Sequence, residues 1–455
     1  MNLNRIQITR IRKVNSRFDA STITTILITL LTRGSATPIL VLRNFLLMRL
    51  TWLAQIKRND NLLFFVGLKL FTNSHAGRAN ELFKEVNDLK RLTPRALHFI
   101  ARCASWVSDP YNLERIRKQL GPASSIGLFA DALINHTKNH ESSIASFGLV
   151  EQAFLNEQKS QTSTRTYPEY VKVSMNVINT QNIREFDLGD QQFATLMDKQ
   201  KQISNTPNHD IPKLIILSFT LPYLLELAGI VAKRIRDRHN HPIMFIVVVP
   251  NDSDAERASK LLKSLPGSFL DIYWQIYVTP FDTPNISSVA RFVVAQNFFD
   301  DNNCQSILIL DADTSFVKSD PIQIWDQVGE DFAIGLITHE SFSPWERLSL
   351  GWTILNRNEL TKNFLYDFRN YTTHQFVKNR ASWTLDQTAA YFVLFELLAK
   401  SGETIHGSRT VFDLSAFIPL KDLTFLDRTM RRGKMRAKQT NESFILELSE
   451  RLFFD

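Results

Sequence analysis

The chain has 455 residues, 44% of them hydrophobic and 22% charged, a length that suggests two or three domains with large cores. Two cysteines, Cys103 and Cys304, exclude a disulfide framework and suit a reducing, cytoplasmic compartment. The net charge of +7 is local: residues 1–60 hold ten Lys and Arg against Asp19 and Asp60, a net of +8, so the rest of the chain sums to −1.

That basic N-terminus would suit an anionic partner such as a membrane surface, or simply a solvated helical face. No motif of a nucleic-acid-binding module accompanies it, so nucleic acid is not expected as a partner. The apolar run Ile23–Leu31 is too short to span a bilayer, and the next one is broken by Arg43 and Arg49. No membrane-spanning helix is expected, and peripheral membrane contact would have to come from residues 1–60. Residues 1–160 read as an all-α domain, because apolar residues recur at spacings of three and four. Within it, Gly67, Leu70, Ala79 and Phe83 stand at the offsets of a tetratricopeptide-like repeat, with Pro94 beyond the expected helix end. An irregular helical bundle would satisfy the same pattern. Residues 161–211 are polar and rich in Gln, Ser, Thr and Pro, as a linker around a short ordered piece would be.

From Pro212 the texture becomes α/β. "KLIILSFT" and "IMFIVVV" read as buried strands, "FLDIYWQIYVTP" as a third and "SILILDAD" as a fourth. Between them, Leu224, Ala228, Val231 and Ile235 mark one face of a helix, and Val289, Phe292, Val293 and Phe299 mark another. Alternating strands and helices predict a mostly parallel sheet with helices on both faces over residues 212–455. Ligands of such sheets bind at the carboxyl ends of the strands. Asp311 and Asp313 close the fourth strand. Two carboxylates one residue apart repel unless a cation neutralises them. Mn²⁺ or Mg²⁺ does so while sharing its oxygen ligands with substrate phosphates. A solvated turn capped by one aspartate would use the same residues. Neither a P-loop nor G-x-G-x-x-G follows any strand, so a diphosphate would have to be held by metal rather than by glycines.

The stretch from about Lys213 to about Lys438 resembles the GT-A-type glycosyltransferases that use nucleotide-diphospho-sugars, and the bacterial ones fused to tetratricopeptide-like helices most of all. The matching elements come in order: "SSVARFVVAQNFF", "ILILDADTSF" with its D-x-D, "LSLGWTILNRNE", "SWTLDQTAAYF" and "RRGKMRAK". The resemblance implies that Asp313 binds the metal directly and that Asp311 binds it through water or touches the ribose. It sets Arg291 and Lys434 against the donor diphosphate. Arg291 would equally serve as a surface arginine, and Lys434 as part of a solvated basic run. Asp386 falls on the acceptor side, as a general base or as a donor-orienting carboxylate, although a first-turn carboxylate also suits the helix dipole. His406 is a candidate third metal ligand. Trp345 and Trp383 could stack on sugar faces. The acceptor, whether carbohydrate, lipid-linked or protein, is not specified, and the implied process is polysaccharide or glycan biosynthesis.

Two rival readings use the same residues. A metal-dependent nucleotidyltransferase would also need two carboxylates, but such enzymes carry an early glycine-rich stretch that "LIILSFTLPYLLEL" lacks. A non-catalytic adaptor with a degenerate core would not need Asp311, Asp313, Arg291 and Asp386 together. The N-terminal helices are expected to be separable from the catalytic part.

Overall fold

The computed structural model describes residues 60–72, 75–136, 140–158, 167–179, 203–205, 211–265, 271–279, 283–301, 304–312, 320–328, 332–378 and 380–416. The expectations for residues 1–59, Asp313 and Lys434 fall outside them.

Among the described residues seven helices come first: α1 (Asp60–Thr72), α2 (Ala76–Lys84), α3 (Pro94–Trp106), α4 (Pro110–Leu120), α5 (Ser125–His136), α6 (His140–Glu157) and α7 (Glu169–Met175). Their starts follow local chemistry. Thr93 and Asp109 each accept a first-turn N–H, and Pro94 and Pro110 follow them where no amide is needed. Gly67 has a packing reason. A Cβ there would stand 2.4 Å from the Phe83 ring, so the α1–α2 pair can close only over a glycine.

The sheet contains β1 (Ile203–Asn205), β2 (Lys213–Thr220), β3 (Ile243–Val249), β4 (Ile272–Val278), β5 (Ser306–Asp311), β6 (Ile334–Thr338), β7 (Leu348–Asn356) and β8 (Val411–Asp413). Their order is β1-β4-β3-β2-β5-β7-β6-β8. β4, β3, β2 and β5 run parallel, as the alternating pattern predicts. β7 is antiparallel to both β5 and β6, and β1 is antiparallel to β4, while β6 and β8 pair in parallel at the edge, so the sheet is mixed around a parallel centre. The connecting helices are α8 (Leu221–Arg236), α9 (Asp252–Ser264), α10 (Thr283–Asp301), α11 (Pro321–Val328), α12 (Pro344–Arg347), α13 (Glu359–Val377) and α14 (Leu385–Ala399).

The central strands are apolar throughout because both faces are covered. Ile215, Leu217, Phe245, Val247, Leu308 and Leu310 pack with α8, α9 and α11 on one face. Leu214, Ile216, Met244, Ile246, Ile307 and Ile309 pack on the other, in one core that also takes in α10, α13, α14 and the N-terminal helices. That core crosses the expected boundary after residue 160 without a break. Trp345 stacks on Phe129 with ring centroids 6.0 Å apart, His136 hydrogen-bonds the Tyr391 hydroxyl at 3.0 Å, and Arg102 pairs with Glu346 at 2.6 Å. Cys103 and Cys304 are free thiols, and burial pushes both up to about 12. Among the described residues no helix is long and apolar enough to cross a membrane.

Candidate functional site

β5 carries Ile307 and Ile309 into the larger core, and period-two alternation turns Asp311 toward the same face. That face is covered by α10, where Arg291 waits. One Arg291 Nη donates to Asp311 Oδ1 in a close ion pair, and the other donates to Asp386 Oδ2 at 3.3 Å. Its Nε donates to Ser288 O at 3.0 Å, so each of the three guanidinium nitrogens makes a hydrogen bond. Arg291 is 5% exposed, Asp386 9% and Asp311 47%, which makes Asp311 the member that meets solvent.

The electrostatics follow from two carboxylates around one cation. Burial works against the charged Arg291, but Asp311 and Asp386 more than offset it and hold its pKa above the ordinary arginine value. Burial pushes the Asp386 carboxyl above the usual range. Arg291 and the Gln387 N–H pull it down, and the neighbouring Asp311 adds to the rise. Asp386 Oδ1 accepts the Gln387 N–H at 2.8 Å, so it also satisfies a donor of the first turn of α14.

Three contributors escaped the sequence reading. Gly351 on β7 lies beside Asp311, and a Cβ there would stand 2.5 Å from Asp311 Oδ2. Its signal was a glycine inside an apolar strand, which often marks a close approach. Ser218, paired in register with Asp311, hydrogen-bonds Ser287 of α10 at 2.7 Å. Asn176, just after α7, donates to Ser382 Oγ at 2.5 Å and to Thr384 Oγ1 at 3.3 Å, fixing the turn that leads into Asp386.

The two tryptophans have opposite fates. Trp345 is buried at 4% exposure between Phe129 and Phe147 and cannot meet a sugar. Trp383 is 65% exposed, three residues before Asp386. His406 stands elsewhere: it lines a separate cleft with Thr338, His339 and Asp413. Among the described residues no group of three His, Cys, Asp or Glu is arranged to hold a metal. Asp311 is nonetheless half-exposed, and Arg291 engages only one of its oxygens. Magnesium-type sites complete one or two carboxylates with phosphates and water, and Asp311 fits that requirement as one such carboxylate.

The fold and site therefore define a class: an α/β protein with an acidic, arginine-braced site at the carboxyl edge of its sheet. No known family matches the chain, and no curated protein does. Among solved structures, one similar to it is the WbbM bifunctional glycosyltransferase in its apo form. The two are 13% identical with a TM-score of 0.28, over 69% of this chain and 60% of that one. The chain thus spans about three-fifths of that structure's length.

Proposed function

We propose that the chain is a glycosyltransferase of the GT-A type, moving a sugar from a nucleotide-diphospho-sugar to an acceptor in the cytoplasm. The observation that carries this reading is the Asp311–Arg291–Asp386 bridge: a solvent-facing carboxylate at the carboxyl end of a central strand, braced by a buried cation. The ordered motifs around it, D-x-D included, support the GT-A part of the reading. The tetratricopeptide-like fusion and the boundaries 1–160, 161–211 and 212–455 belong to the same reading. Peripheral membrane contact through the basic residues 1–60 belongs to it as well.

Asp311, with Asp313 of the same motif, would hold Mn²⁺ or Mg²⁺, which when bound neutralises charge on the diphosphate leaving group. The protein's own residues do the rest. Arg291 fixes the Asp311 carboxylate against rotation and ties it to Asp386. Arg291 would also face the donor diphosphate: three of its five N–H donors are engaged by Ser288, Asp311 and Asp386, which leaves one on each Nη. Asp386, its pKa raised by burial, is the candidate to take a proton from an acceptor hydroxyl. Its burial favours a second role, holding Arg291 in place. Trp383, three residues earlier in the sequence, offers an exposed ring for a sugar face.

Release of nucleoside diphosphate from a panel of nucleotide-diphospho-sugars, with and without Mn²⁺, tests the reading. Asp311→Asn is expected to abolish Mn²⁺-dependent release with an unchanged fold. Asp386→Asn is expected to lower transfer by about 10²–10⁴ if it is the base, with donor affinity kept. A folded protein that releases no nucleoside diphosphate from any donor, under either condition, sinks the proposal.

A further inference from the structure

A cleft of about 450 Å³ opens where the end of α3 meets the sheet, lined among others by Trp106, Thr338, His339, Glu340, His406 and Asp413. We propose that it is a saccharide subsite that seats the acceptor of the transfer, an inference that rests on the glycosyltransferase reading.

The lining chemistry selects the ligand class. Among the described residues no Lys or Arg lines the cleft, which disfavours a phosphate or a nucleotide. No three of its side chains are arranged for a metal among the described residues. What remains is a mixture of imidazoles, carboxylates and hydroxyls beside an indole, which matches a neutral ligand whose hydroxyls both donate and accept. The volume lies within the roughly 300–1,000 Å³ typical of small-molecule sites.

The polar groups are held in place before any ligand arrives. Thr338 donates its hydroxyl to Asp413 Oδ2 at 2.5 Å, and Ser415 N donates to Asp413 Oδ1 at 2.8 Å. Burial alone would raise the Asp413 carboxyl, but these donors outweigh it and hold it below the usual range, so it stays charged. With its proton committed, Thr338 Oγ1 offers lone pairs to a ligand hydroxyl. Trp106 stacks on His339 with ring centroids 4.4 Å apart, which fixes both rings at the wall. Ser108, another wall residue, has φ of 55°, a left-handed conformation that glycine would adopt at lower cost. Its hydroxyl donates to Glu340 O, which ties the helical wall to the sheet wall.

The position fits the reaction. The cleft lies at the carboxyl ends of β6 and β8, on the same sheet edge as Asp311. Only β7 separates β6 from β5, a span of two strand spacings or about 10 Å. A sugar chain seated in the cleft could therefore present its terminal hydroxyl to Asp311 and Asp386.

Saturation-transfer NMR on the full chain, with a panel of methyl hexopyranosides and N-acetylhexosaminides at millimolar concentration, tests this. His406 and Glu340 are exposed, so His406→Ala and Glu340→Gln should fold normally. The expected result is saccharide binding that weakens at least tenfold in both variants and persists in Asp311→Asn. Absence of binding by every saccharide, or binding indifferent to both variants, overturns the subsite. Nucleotide-sugar turnover alongside that negative result would leave the transferase reading standing. Cleft-dependent binding without any turnover would leave a saccharide site but overturn its role as the acceptor seat, together with the transferase reading.

Discussion

Gly351 decides where the Asp311 carboxylate can lie. A methyl group there would meet Asp311 Oδ2 at 2.5 Å and Cγ at 3.0 Å, so the carboxylate must shift, which is expected to disturb its pairing with Arg291. Gly351→Ala should therefore lower donor turnover nearly as far as Asp311→Asn does. The stability cost should stay near the roughly 1–3 kcal/mol of one underpaired buried polar group. Turnover and thermal melting of the same variant check both halves, and normal turnover would leave the close approach without a role.

A second residue bears on acid stability. His98 is buried between Phe129 and Tyr170, with ring centroids 5.7 and 6.0 Å away. Burial, helped by the nearby Arg102 charge, pushes its pKa from 6.5 down to about 3. The folded state thus keeps the ring neutral where the unfolded chain protonates it. Its contribution to stability is complete above about pH 6.5 and falls as the pH drops toward 3, by up to about 1.4 kcal/mol per unit. His98→Phe should flatten that part of the slope, measured as urea midpoints between pH 6 and 4. An unchanged slope would remove His98 from the acid response.

At the scale of elements, the start of α14 depends on a segment from the other half of the chain. Asn176 holds Ser382 and Thr384 through its amide, and its carbonyl accepts from the Tyr371 hydroxyl and from Gln375 Nε2. The N-cap Thr384 has no side-chain capping bond of its own, so this outside brace substitutes for local capping. Asn176→Ala should cost about 1–3 kcal/mol, because buried partners are left unpaired. It should also raise amide exchange over residues 382–387 and reduce turnover through Asp386. A variant that loses stability without faster exchange there would show that the brace does not act on α14.

For the whole molecule, the core makes the N-terminal helices part of the fold that carries the site. A chain beginning at Ile211 would uncover Trp345, Tyr371 and Tyr391, all buried in the shared core. Each large apolar side chain so exposed costs about 1.5–3 kcal/mol, against a total stability of about 5–15 kcal/mol for a typical domain. The truncated chain is expected to lose near-ultraviolet circular dichroism, bind a hydrophobic dye and melt without cooperativity. A sharp melt would instead support the separability that composition and charge suggested. The cleft bears on the same question, since Trp106 and Ser108 reach the site only if the helices stay attached.

The central strands were legible because their signal is local. A strand buried on both faces must be apolar along its length, and "KLIILSFT", "IMFIVVV" and "SILILDAD" are strands within a residue or two of those limits, the last ending at Asp311. Asp311 was legible for the converse reason: a carboxylate cannot continue a buried strand, so it marks the end and hence the edge where ligands bind. The sequence also specified the apolar faces of α8 and α10, through spacing alone. It could not specify that Arg291 is shared by Asp311 and Asp386, for Arg291 and Asp386 are 95 residues apart and no periodicity connects them. Nor could it tell Trp345 from Trp383, because burial of an aromatic depends on what other segments pack over it. The antiparallel course of β7, the room made by Gly351 and the meeting of Trp106 with His339 are likewise products of long-range packing. Each is set by which surfaces meet once the chain is compact, and that is decided by the burial of the whole core and not by any local stretch of residues.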